Sequence, residues 1–289
     1  MNWRRALVLI GPFAWMAVLF LVPFIIVAFI SLAQPRIGIP PYEPLMDRDG
    51  ALNITLENFT LLFEDDLYIQ AYWQSLATAG LCALVCLLIG YPMALAIARS
   101  RTAIRPVLLM LVILPFWTSF LIRVYAWMGI LKEEGLLNSV LMGLGLIAHP
   151  LVILNTNVAV YIGIIYSYLP FMILPLYATL ERLDPALLEA ATDLGAKPWK
   201  AFLTVTLPLS WPGILAGWML VFIPVTGEYV IPDLLGGSDT NMLGKALWDV
   251  FAINRDWPTA AALAVVLLVA LAVPVGLLHR LQHKIEDAA

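Results

Sequence analysis

Six apolar runs, at about residues 7–33, 71–98, 106–131, 154–180, 207–230 and 258–279, constrain this chain more than any motif in it. A helix crosses roughly 30 Å of hydrocarbon with about 20 apolar residues and satisfies its own backbone polar groups as it does so. Each run meets that length. With 62% hydrophobic and 12% charged residues, and a mean hydropathy of +0.91, the 289 residues leave no room for a separate soluble domain. The sequence therefore predicts one all-α integral membrane domain over 1–289, interrupted by a longer loop at 181–206.

The opening MNWRRALVLIGPFAWMAVLF carries the basic and apolar parts of a signal peptide, and Ser31-Leu32-Ala33 resembles a cleavage site. The apolar run from Ala6 to Leu32 is much longer than the usual signal core of about 7–15 residues, so a retained first span is expected. Lysine and arginine set its direction. Arg4, Arg5, Arg99, Arg101, Arg105, Arg182, Lys197, Lys200, Arg280 and Lys284 fall on one set of segments, which places both termini in the cytoplasm. The alternate loops hold Arg36, Arg48, Lys132, Lys245 and Arg255 against Glu43, Asp47, Asp49, Glu57, Glu64, Asp65, Asp66, Glu133, Glu134, Asp233, Asp239, Asp249 and Asp256. That external face either attracts cations or a basic partner, or simply lacks the basic residues that the orientation rule keeps inside.

Chemistry of its own is hard to find in this chain. Cys82 and Cys86 lie one turn apart within an apolar run and read as packed thiols, with no disulfide framework and no metal cluster. No GxxxxGK[ST] phosphate loop, HExxH or GxSxG occurs, and His149, His279 and His283 sit in or near loops. No catalytic residue, metal, bound cofactor or nucleic-acid partner is expected. Asn53-Ile-Thr55 and Asn58-Phe-Thr60 match the glycosylation sequon, a pattern too short to weigh.

The loop at 181–206 contains ERLDPALLEAATDLGAKPWK, which writes a short helix with its own start and stop. Asp184 suits the N-cap, Pro185 the first helical position, Gly195 the left-handed closing position, and Pro198 prevents continuation. Leu187, Ala190, Ala191 and Leu194 recur on one side, and Glu189 and Asp193 lie four apart on another. About ten residues do not hold a helix in water without packing. The apolar face packs on the membrane surface, on this chain's own loops or in a groove of another protein; the stretch Pro185–Leu194 has no basic residue for anionic lipid, so the protein groove is the better fit.

Glu189-Ala190-Ala191, then three residues, then Gly195, with a distal Leu207-Pro208, resembles the EAA loop of the permease subunits of bacterial ABC importers. The likeness extends through ILPFWTSFLIRVYAWMGIL, LVFIPVTGEYVIPDLLGG and NRDWP to the polyamine importers, nearest the first permease subunit of a putrescine system. It implies six transmembrane helices of the type I importer architecture in a bacterial inner membrane. It also implies a second homologous permease, a periplasmic substrate-binding protein, and a separate ATPase dimer that uses ATP and Mg and leaves this chain without a cofactor. Coupling to that ATPase would fall on Glu189, Ala190, Ala191, Asp193, Leu194, Gly195 and Pro208. An importer of another small solute shares the loop. A gradient-driven transporter would leave the capped helix without a task.

Two ionisable residues sit in or near the hydrocarbon, Arg123 in the third run and Glu228 at the outer end of the fifth, where charge is costly and marks a pathway or a pair. Either they pair with each other at an external gate, or Glu228 lines the path and attracts an ammonium group. Trp117, Tyr125, Trp127 and Tyr229 lie near them in sequence and add aromatic faces for a cation, although such residues also populate membrane interfaces. Pro12, Pro23, Pro92, Pro115, Pro170, Pro175, Pro208, Pro212 and Pro224 are each able to kink a span.

Overall fold

The computed structural model describes residues 3–46 and 52–286, so Asp47, Arg48 and Asp49 lie outside the described residues. Among the described residues regular structure is helical, with two isolated antiparallel bridges, Pro35 to Tyr42 and Met46 to Leu52. The chain divides into two compact units, Met1–Gln70 with Ala246–Val273, and Ala71–Lys245 with Pro274–Ala289.

In the first unit α1 (Trp3–Ser31) continues through Pro12 and Pro23, and from Ile10 onward its side chains are mostly exposed, as for a helix surrounded by lipid. Its last carbonyls have no partner inside the helix. The next helix, α2 (Glu57–Glu64), supplies one: the buried Asn58 amide donates to Ser31 O at 2.9 Å and to Ala33 O at 2.8 Å. That role leaves Asn58 unsuited to the glycosylation its sequon allows. Trp257 stacks on Phe251, with ring centroids 5.4 Å apart, and lies 6.3 Å from Tyr42.

In the second unit, Ala79, Cys82, Ala83, Cys86 and Gly90 of α3 (Asp66–Arg99) recur three and four apart and are buried on one face. Both cysteines are free and buried there. The third apolar run is two helices where its composition suggests one. α4 (Arg105–Ile113) tightens into a 3-10 turn over Leu114–Trp117, and the chain bends by 87° before α5 (Phe120–Leu131) and α6 (Leu136–Gly143). Pro115 cannot donate to the ladder, and Thr118 is extended with its hydroxyl donating back to Pro115 O at 2.9 Å.

α7 (Asn157–Leu180) stays unbroken through Pro170 and Pro175. After it come α8 (Pro185–Asp193), α9 (Pro198–Ala201), a π turn over Phe202–Thr206 and the single-turn α10 (Leu207–Leu209). Beyond Ser210, α11 (Trp211–Thr226) leaves at 63°. Tyr91 of α3 braces that bend: its hydroxyl lies 2.8 Å from Ser210 Oγ, both residues buried, and its ring meets Phe202 edge-on at 5.6 Å. Gly213 and Gly217, one turn apart on α11, face α7; a Cβ on either would come 2.6 Å from a side-chain atom of Thr179 or Met172. Such small-residue spacing lets two membrane helices approach closely.

α12 (Val230–Leu235), α13 (Leu243–Trp248) and α14 (Trp257–Glu286) complete the chain. Ile10–Ser31, α3 and α7 are each long and apolar enough to cross a bilayer. The two bent pairs have the composition of broken spans, and Trp257–Ala272 is a shorter apolar stretch.

Candidate functional site

The short helix α8 is built as its sequence specifies. The Asp184 carboxylate accepts from Ala186 N at 2.9 Å, filling one of the unpaired N–H positions of the first turn. At the other end Gly195 has φ +82°, its N–H donates to Thr192 O at 2.9 Å, and the N–H of Ala196 donates to Ala191 O at 3.0 Å. This pair of bonds is the Schellman closure, which needs the left-handed residue in its middle. Leu194 is the C-cap and is 89% exposed. Leu187 and Ala190 are also exposed, whereas Ala191 turns partly inward with Leu188. Glu189 and Asp193 are exposed, so α8 presents an apolar edge flanked by acid that no described residue of this chain covers.

From α8 the structure leads inward. The helix packs on α9 and on the π turn, which lead to Pro208, the Ser210 bend and α11. Beside it, Arg105 at the start of α4 bonds Glu181 at 3.1 Å, just beyond the end of α7. With Glu181 this exposed, the pair contributes no more than about 1 kcal/mol, so it orients the loop and does little to hold the fold.

α11 ends at Thr226 with Gly227 as its C-cap, and Glu228 sits in the short break before α12. The backbone of α13 presses on this break: a Cβ at Gly244 would stand 2.4 Å from Gly227 O, which leaves room for glycine alone. Glu228 is 8% exposed and fully engaged. Its Oε2 accepts from the Tyr168 hydroxyl at 2.5 Å, and its Oε1 accepts from Val230 N at 3.0 Å and from Ile231 N at 3.4 Å.

Glu228 and Tyr168 line a cavity of about 590 Å³ together with Arg123, Phe116, Phe120, Ser167 and Phe171 and apolar side chains of α11. Arg123 is 9% exposed, and no carboxylate pairs with it among the described residues. Its guanidinium carbon lies 5.0 Å from the Phe116 ring centroid and 5.7 Å from that of Phe120, and its Nε has no hydrogen-bond partner. Each ring contributes about 0.5–2 kcal/mol, against a desolvation cost of several kcal/mol for the ion. Arg123 and Glu228 therefore share a cavity without forming the ion pair that was one of their two sequence readings.

The remaining aromatic candidates do not line that cavity. Residues two apart on a helix point about 200° from one another, so Tyr125 faces away from the side that Arg123 occupies and is 56% exposed. Trp117 is exposed in the 3-10 turn, Trp127 packs edge-on against Tyr166 at 5.3 Å, and Tyr229 lies at the surface. Tyr168 went unrecognised in the sequence; the signal was a polar pair, Ser167-Tyr168, inside an apolar span ahead of Pro170. Tyr168→Phe removes a hydrogen bond worth roughly 1–2 kcal/mol in a membrane protein.

A model of the family described as "binding-protein-dependent transport system inner membrane component" matches residues 86–286. The spermidine/putrescine transport system permease protein PotB of Haemophilus influenzae is 42% identical over 282 residues, covering 95% of this chain and 94% of that one. The Escherichia coli K12 protein of the same name is 43% identical over 215 residues, 74% of this chain and 78% of that one. Among solved structures, a chain of a bacterial alginate ABC transporter, in complex with its alginate pentasaccharide-bound periplasmic protein, superposes with a TM-score of 0.74. That match covers 98% of this chain and 95% of the other at 19% identity. A chain of the inward-facing methionine ABC transporter MetNI gives 0.58 over 80% of this chain and 99% of that one, at 17% identity.

Proposed function

The chain belongs to the family of binding-protein-dependent transport system inner membrane components, and from that membership we propose that it is the permease subunit of an ATP-driven polyamine importer. The observation that carries the substrate class is 42% identity, over nearly the full length of both chains, to a spermidine/putrescine permease. The acidic residues on the external loops and the buried Glu228 fit a cationic substrate.

In this reading the chain crosses the bacterial inner membrane six times, the two bent pairs and α14 each counting as a span, with both termini in the cytoplasm. A periplasmic binding protein delivers the polyamine to the external face, and the path runs between this chain and a second homologous permease. Closure of an ATPase dimer on ATP and Mg moves α8, whose exposed Leu187, Ala190 and Leu194 seat in an ATPase groove while Glu189 and Asp193 flank it. Because α8 rests on α9 and the π turn, its displacement passes through Pro208 and the Ser210 bend to α11, and so to Glu228 at the far end of that helix. Glu228 is the residue positioned to meet the ammonium group, and Tyr168 orients its carboxylate.

The test is uptake of labelled putrescine and spermidine by cells stripped of other polyamine import and given this chain with its partner subunits. Saturable uptake of either, competed by the other and not by 2-aminoethylphosphonate, is expected. No uptake of either from an assembled complex would overturn the substrate class.

A further inference from the structure

We propose that Arg123 is a tethered cation that stands in the place of the transported ammonium group and keeps the cavity from trapping it. The proposal rests on the polyamine reading above. The two charges that line this cavity are held very unequally. Glu228 receives three hydrogen bonds, one from Tyr168 and two from backbone N–H groups. Arg123 has none among the described residues; its guanidinium lies over the faces of Phe116 and Phe120, and its buried Nε is unpaired. The fixed charge is thus the anion, and the cation is the one free to shift.

An ammonium group entering a largely apolar cavity would seek a carboxylate and aromatic faces. Both are here, and Arg123 already occupies the aromatic faces. Without Arg123 the cavity would carry one uncompensated negative charge in surroundings of low dielectric, where attraction to a cation is many times stronger than in water. A transport path fails if it holds its cargo too well, since the ion must bind well enough to enter and weakly enough to leave. With Arg123 the cavity is neutral when empty, and an arriving cation meets one attracting and one repelling charge. Arg123 therefore sets residence time, and a substrate moves on because Arg123 returns to its seat.

The test compares wild type, Arg123→Gln, Arg123→Lys, Glu228→Gln and the Arg123→Gln/Glu228→Gln double variant, each as the full importer complex in nanodiscs. Retention of labelled putrescine without nucleotide or binding protein is read beside uptake kinetics in proteoliposomes. Arg123→Gln is expected to raise retention at least tenfold and to lower both KM and the maximal uptake rate, the mark of over-tight binding. Arg123→Lys, which keeps the charge and loses the planar stacking on Phe116 and Phe120, should fall between wild type and Arg123→Gln in retention. The double variant, neutral again, should return retention to within about threefold of wild type and recover uptake relative to Glu228→Gln alone. Unchanged or weaker retention in Arg123→Gln overturns the proposal. If that variant does not assemble, a double variant no better than Glu228→Gln overturns it as well. Wild-type complex that takes up no putrescine refutes the polyamine reading itself, so the two failures are distinguishable.

Discussion

Gly195→Val is expected to abolish uptake while the chain still inserts into the membrane in ordinary amounts. Gly195 sits at φ +82° with open space around its Cβ position, so the backbone alone objects to a side chain there. A β-branched residue is the least tolerant of that conformation, and holding it costs about 1–3 kcal/mol. The rest of the fold absorbs such a cost, but α8 cannot, because its closing bonds from Ala196 N to Ala191 O and from Gly195 N to Thr192 O depend on that turn. The end of the helix would unwind at the surface proposed to meet the ATPase. A series at this position gives the claim its sign: Gly195→Asn retains most uptake, Gly195→Ala less, and Gly195→Val almost none, with loss of uptake tracking loss of co-purified ATPase. Equal uptake across the series would show that the cap plays no part in coupling.

Glu228→Gln is the second large effect. Glutamine keeps the size of the side chain and removes its charge, so three donors that served a carboxylate would face an amide with a single acceptor oxygen. Uptake is expected to fall at least about tenfold, mainly as a raised KM for putrescine, because the attraction lost acts on substrate arrival as well as on its passage. Glu228→Asp, which withdraws the carboxylate by one methylene, should fall between. Immunoblotting of membranes separates a transport defect from a shortage of protein. Wild-type kinetics in Glu228→Gln would remove this residue from the path.

The sequence revealed α8 almost to the residue, since caps are local: Asp184, Pro185 and Gly195 each act on backbone groups within a few positions. Long helices were legible from apolar run length for a similar reason. Bends were not, and proline shows why. Pro92, Pro170 and Pro175 lie inside unbroken helices, whereas the chain turns sharply near Pro115 and beside Pro212. Pro115 and Pro212 fall in the first turn of the element beside the bend, where a missing N–H costs nothing, and what decides between bend and straight helix is whether neighbours brace the break, as Tyr91 does at Ser210. That bracing comes from residues more than a hundred positions away and leaves no local mark. The cavity behaves likewise. The cost of burying charge singled out Arg123 and Glu228, but nearness in sequence proposed Tyr125 and Tyr229 as companions, where packing supplies Tyr168, Phe116 and Phe120.

The most direct measurement is putrescine uptake into proteoliposomes holding this chain with its partner permease and ATPase, with binding protein outside and ATP either supplied to the ATPase side or withheld. Coupling through α8 predicts uptake only with ATP, lost in Gly195→Val together with the ATPase bound to the permease. Uptake without ATP, driven by an ion or voltage gradient and indifferent to Gly195, would contradict it.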